Sequence, residues 1–188
     1  MNIYIVRHTA PELDAGICYG QSDVPVDKAI YKECLETLKT KLQGINFDAC
    51  YSSQLTRCKV LAADLFGGDL VEDKRLMELN FGQWEMKRWN EIDSKLLKDW
   101  GDQFDTVPCP DGESFEILQR RVIDFWQELT RKDHNTVMIS THGGVIRALV
   151  AHIFKMPLSN AFSIKLDYAG ITKISYDPKL TCVSFLNA

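Results

Sequence analysis

The chain has 188 residues, 45% of them hydrophobic and 26% charged, with a formal net charge of −4. That length suits one domain, taken here as a single domain over 1–188, and the hydrophobic fraction excludes a disordered chain. The mildly acidic balance leaves no electrostatic footprint for nucleic acid or an anionic membrane. No run approaches the roughly 20 apolar residues of a membrane span, and the N-terminal apolar run is short for a signal peptide, so a soluble cytoplasmic protein is expected.

Residues 2–7 (NIYIVR) read as a short buried strand that stops at Arg7-His8. Asp27 is placed to cap a helix whose apolar positions are Ile30, Cys34, Leu35, Leu38 and Leu42. A second strand is predicted over 47–51 (FDACY), then a helix from Gln54 to Phe66 that closes at Gly67-Gly68. Phe115, Leu118, Val122, Phe125 and Leu129 step by three and four, the stripe of an amphipathic helix. A strand over 136–140 (TVMIS) precedes a shorter apolar helix from Val145 to Phe154. The segments 162–166, 171–176 and 181–186 are predicted strands, separated by Gly170 and Asp177-Pro178. Strands alternating with helices imply an α/β fold with a mostly parallel sheet and helices on both faces. An exposed edge among the C-terminal strands would also allow two copies to pair, which leaves a homodimer open.

The six cysteines, at 18, 34, 50, 58, 109 and 182, contain no CxxC pair, so reduced thiols are expected. The four histidines, at 8, 134, 142 and 152, form no HExxH and pair with no cysteine at ligand spacing. The expectation is therefore no metal and no cofactor.

Ligands of such sheets bind at the carboxyl ends of the strands. Arg7-His8 ends the first strand. Ser52-Ser53 follows the second, with Arg57 one helical turn further. Thr141-His142-Gly143-Gly144 follows the strand over 136–140. Each piece alone has an ordinary structural reading: an ion pair, a core imidazole, a tight strand-to-helix turn. Together, two arginines and two histidines on three strand ends make a pocket for a doubly charged phosphate. Arginine offers a planar fork that does not titrate away, and a glycine-led helix start offers free N–H groups. Hydrolysis further needs a nucleophile and a proton donor. A neutral imidazole can be the first. Glu78, in the irregular segment RLMELNFGQWE, is the candidate for the second, although an exposed carboxylate is its simpler reading.

IVRHT, YSSQLTRCKVLA, LMELNFGQWE, PDGESF and STHGGVIR, in this order, resemble the histidine phosphatase (phosphoglycerate mutase-like) superfamily across nearly the whole chain. The resemblance implies a three-layer α/β/α sandwich and metal-independent phosphate monoester hydrolysis. It implies His8 as the nucleophile that becomes phosphorylated. Arg7, Arg57 and His142 would bind the phosphoryl group with Gly143, and Glu78 would protonate the leaving group and later activate water. Within the superfamily, GICYGQSDVPV resembles the α-ribazole phosphatase branch, which removes the 5′-phosphate of α-ribazole phosphate in assembly of the cobalamin nucleotide loop. Gly20 and Gln21 of that segment would line the pocket mouth, unless YGQSD is simply a turn and a helix cap. The partner expected is a small phosphorylated metabolite. A broad-specificity phosphatase, a mutase-like enzyme and a non-catalytic phosphate- or phosphoprotein-binding domain are the alternatives.

Three positions depart from or extend the pattern. Thr9 stands where the family usually has glycine. Asp14 stands where it often has a phosphate-binding asparagine, a role a carboxylate cannot fill. Arg147 fits HGxxxR and reads equally as a structural ion pair or a phosphate contact. Trp84, Trp89, Trp100 and Phe104 could stack on a flat base or simply pack.

Overall fold

The computed structural model describes residues 1–188. Six strands form one sheet: β1 (Asn2–Arg7), β2 (Ala49–Ser52), β3 (Leu70–Glu72), β4 (Thr136–Thr141), β5 (Ile171–Asp177) and β6 (Leu180–Phe185), in the order β3-β2-β4-β1-β5-β6. The pairs β1–β4, β2–β4 and β2–β3 are parallel, while β1–β5 and β5–β6 are antiparallel. The sheet is thus mostly parallel, with an antiparallel wing that ends in the exposed strand β6.

Five helices cover it: α1 (Lys28–Lys41), α2 (Thr56–Phe66), α3 (Ser94–Asp102), α4 (Phe115–Leu129) and α5 (Gly143–Ile153). The period-two alternation of strand side chains divides the core in two. Ile3, Ile5, Val137 and Ile139 point to one face, where Leu118, Val122 and Phe125 of α4 and Val145, Ile146 and Leu149 of α5 bury them. Val6, Cys50 and Met138 point to the other, against Leu35 and Leu38 of α1 and Leu61 and Ala62 of α2. This is the three-layer arrangement expected from the alternation. Asp27 does cap α1, accepting from the N–H groups of Ala29 and Ile30.

The predicted strand over 162–166 is not one. Residues Leu158–Ser163 form a 3₁₀ turn that packs beside α5, and Phe162 lies against Phe104 and Phe115 instead of extending the sheet. A short apolar run carries no period of its own, and here the aromatic contacts decide it. The three-residue β3 and the helix α3 were not visible in the pattern. β3 exists only by pairing with β2, and α3 is a nine-residue helix whose apolar side is carried by little more than Leu97 and Trp100, packed on the cluster around Trp84. Trp84 and Trp100 meet edge-to-face at 5.5 Å within a small third cluster with Cys18, Ile92 and Cys109, so they are packing residues.

Candidate active site

The carboxyl ends of β1, β2 and β4 lie side by side, with Arg7 opposite Thr141 and Ser52 opposite Ser140. This register brings Arg7-His8, Ser53 and His142 to one edge. His8 is 2% exposed. Its Nδ1 lies 2.7 Å from the Thr9 carbonyl oxygen. A carbonyl can only accept, so Nδ1 carries the proton and Nε2 keeps its lone pair. Burial, reinforced by the nearby Arg57 cation, holds His8 well below the ordinary histidine range and therefore neutral. The His142 ring stands 5.0 Å away; its Nε2 bonds Ser53 Oγ at 2.8 Å, and burial again keeps it neutral, with His8 and Arg57 adding to the effect.

Arg57, in the first turn of α2, is completely buried. Its Nη atoms donate to the carbonyls of Ser22 (2.9 Å) and Gly20 (2.6 Å). Asp23 bonds the Thr56 N–H and hydroxyl, so the GQSD segment caps α2 from across the chain. Arg7 donates through Nη1 to Leu166 O and stacks 4.1 Å from the centre of the Tyr168 ring. The Nε groups of both arginines and the Thr9 hydroxyl are buried with no partner. Three orphaned donors around one imidazole are costly, and an anion seated there would satisfy them.

Glu78 sits between the two halves. Its carboxylate accepts from Leu79 N at 3.0 Å and from Gly144 N at 3.1 Å. A side chain at residue 144 would stand 2.2 Å from Glu78 Oε1, so glycine is needed for this approach. The segment is held by Arg121 of α4, which donates to the carbonyls of Arg75, Met77 and Glu78 and pairs with Glu113. Thr141 Oγ1 fastens it to β4 through Leu76 O.

Arg7, His8, Glu78, Gly144 and Arg147 line an open cavity of about 240 Å³, with Tyr19, Tyr168, Phe81 and Trp89 among its other walls. Gly20 and Gln21 do not line it. They lie behind it, where the Gly20 carbonyl holds Arg57 and the Gln21 amide donates to Glu78 O at 3.0 Å. The reason is close packing: a side chain at Gly20 would strike Leu79 O at 1.9 Å. Gly143 starts α5 just under Arg7 and Arg147. Asp14 turns outward to Arg88 at 2.7 Å.

Sequence reasoning missed Glu85. Its carboxylate accepts from the N–H groups of Gly20, Gln21, Ser22 and Phe81 and from the Ser22 hydroxyl. Burial pushes this carboxyl up, but those donors outweigh it and hold it below the usual range. The five acceptances fix the loop whose carbonyls aim Arg57. Nothing but the WE pair in GQWE could have signalled it.

The chain is similar in sequence and fold to known proteins. A Hydrogenobacter thermophilus protein named, provisionally, phosphoserine phosphatase 2 is 30% identical over 98% of this chain and 94% of its own. The adenosylcobalamin/alpha-ribazole phosphatase of Salmonella typhimurium is 29% identical over 100% of this chain and 96% of its own. The crystal structure of the alpha-ribazole phosphatase from Shigella flexneri superposes with a TM-score of 0.91 at 23% identity, over 100% of this chain and 96% of that one, and so shares its fold. The family model for the histidine phosphatase superfamily (branch 1) matches residues 3–188, and the chain belongs to that superfamily.

Proposed function

We propose that the chain hydrolyses α-ribazole 5′-phosphate through a phosphohistidine formed on His8. The observation that carries the substrate is a second, larger cavity of about 920 Å³ beside the first. The two share Ile17, Tyr19 and Tyr168 in their walls. Pro11, Leu13, Ile30 and Met86 give the outer cavity an apolar lining, and its only charged residues are Glu12, Asp14 and Asp27. A negatively charged leaving group long enough to reach the outer cavity would meet repulsion there and no cation. A nucleoside-like leaving group, with an apolar base and no negative charge, suits it. Such a product would feed assembly of the cobalamin nucleotide loop.

The chemistry follows from the geometry. His8 Nε2 attacks phosphorus with its lone pair while the ester P–O bond breaks. Arg7, Arg57 and His142, with the N-terminus of α5, stabilise the equatorial oxygens. The carboxyl group of Glu78 gives its proton to the departing alkoxide. Water then attacks the phosphohistidine, losing a proton to the Glu78 carboxylate, and the P–N bond breaks to return neutral His8 and orthophosphate.

The test is steady-state phosphate release from α-ribazole 5′-phosphate, p-nitrophenyl phosphate, phosphoserine and 3-phosphoglycerate, with EDTA present and His8→Ala as control. Samples quenched in alkaline detergent are also assayed for a phosphoprotein that is stable to base and labile to acid. A preference for α-ribazole 5′-phosphate that vanishes in the variant supports the reading. Preference for phosphoserine would overturn the substrate, and turnover by His8→Ala would overturn the nucleophile.

A further inference from the structure

Arg147 has no ion-pair partner. No carboxylate lies within 4.0 Å of its guanidinium, although a structural ion pair was one reading of the HGxxxR pattern. Its Nε donates to Ile164 O at 3.0 Å, and its Cζ stands 5.1 Å from the centre of the Phe162 ring. Those two contacts fix the plane of the fork and leave both Nη groups uncommitted at the cavity wall. The fork also converges on Arg7. A Cβ at Gly143 would lie 2.9 Å from Arg147 Nη1 and 3.4 Å from Arg7 Cζ, so both guanidinium groups rest on the first residue of α5.

Two guanidinium groups held over a helix N-terminus repel each other unless an anion joins them. Burial lowers the affinity of Arg147 for its proton, the Arg7 charge lowers it further, and the more distant Glu78 carboxylate offsets this only in part. The unpaired Nε of Arg7 faces the same shortage of acceptors. Folding has therefore assembled a pair of cations with no carboxylate in ion-pair contact with Arg147, Glu78 acting on it only from beyond 4.0 Å across the same cavity.

We propose that Arg147 binds the phosphoryl group directly, as a partner to Arg7, bridging it to the side of the site where Glu78 sits. The proposal rests on the phosphatase reading above, but not on the identity of the leaving group. A contact with the phosphoryl oxygens is shared by every monoester and by orthophosphate. A contact with a leaving-group carboxylate would be felt only by carboxylate-bearing substrates, of which phosphoserine is the probe. A purely structural role, pinning the turn at Ile164 over the cavity, would leave orthophosphate binding unchanged.

The experiment compares wild type with Arg147→Gln and Arg147→Lys. It measures kcat/KM on α-ribazole 5′-phosphate, p-nitrophenyl phosphate and phosphoserine, the inhibition constant for orthophosphate, and direct orthophosphate binding by calorimetry. Loss of one charged fork should weaken orthophosphate roughly 10- to 100-fold and lower kcat/KM by a similar factor on all substrates. Lysine should recover part of the loss, and added guanidinium should partly rescue Arg147→Gln. An unchanged orthophosphate constant, or a loss confined to phosphoserine, overturns the assignment. Wild type that prefers another monoester overturns only the α-ribazole assignment, because orthophosphate still reports on Arg147. Wild type that neither binds orthophosphate nor releases it from any of these esters overturns both.

Discussion

Gly144→Ala perturbs the proton donor without replacing a charged group. The new methyl would stand 2.2 Å from Glu78 Oε1, 3.2 Å from its Cδ and 3.3 Å from Leu118 Cδ2. Restoring ordinary contact near 3.4 Å moves the Glu78 oxygen by about 1.2 Å and strains its bond from Gly144 N. Leu118 needs to give only about a tenth of an ångström. Alanine in a helix is favoured over glycine by about 0.5–1 kcal/mol, so the fold should survive, with Tm within about 4 °C of wild type. A misplacement of about 1 Å costs on the order of 10² in rate, within the range of about 10²–10⁴ that a general acid supplies. We therefore expect kcat/KM on α-ribazole 5′-phosphate or another alkyl ester to fall about 10²-fold. On p-nitrophenyl phosphate, whose leaving group departs without a proton, the fall should be less than about tenfold. The ratio of the two losses is the readout. Equal losses on both esters, or an unchanged alkyl rate, would refute Glu78 as the acid held by Gly144.

Other predictions use the same site. His8 and His142 stay neutral when folded, at values well below 6.5. The unfolded chain takes up protons below about pH 6.5 that the folded chain does not, so stability is full above that pH and lost as pH falls below it. Urea denaturation between pH 7.5 and 5.5 should show a slope of up to about 1.4 kcal/mol per pH unit for each histidine, reduced in His8→Gln; a flat profile would contradict it. Glu85→Gln removes the charge that five donors share. It should cost about 3 kcal/mol in chemical denaturation and lower kcat/KM alike on every substrate, because the loop it holds aims Arg57. Arg57→Ala should lower kcat about 10²–10³-fold. It also strips the Gly20 and Ser22 carbonyls of their donor, at about 1–3 kcal/mol each. A change in KM alone would make Arg57 a ground-state contact.

The amino-acid sequence by itself determined where the strands end and which polar residues sit there. Arg7-His8, Ser53, Arg57 and His142-Gly143-Gly144 are legible because each lies within a few residues of a strand end, and the alternation of elements points those ends one way. The α4 stripe and the Asp27 cap are legible for the same reason: their physics is local. The tertiary structure decided what depends on distant partners. Glu85 gathers donors from residues 20–22, some 63 to 65 positions earlier, and Asp23 caps a helix 33 positions later. Residues 158–163 curl into a 3₁₀ turn in which Phe162 meets Phe104 and Phe115, contacts set by distant parts of the chain. Arg147 meets Arg7 because β1 and β4 are neighbours although more than a hundred residues separate them. Helical and strand periods are written in adjacent residues. Hydrogen bonds, charge pairs and cavities are written only once the sheet order has closed.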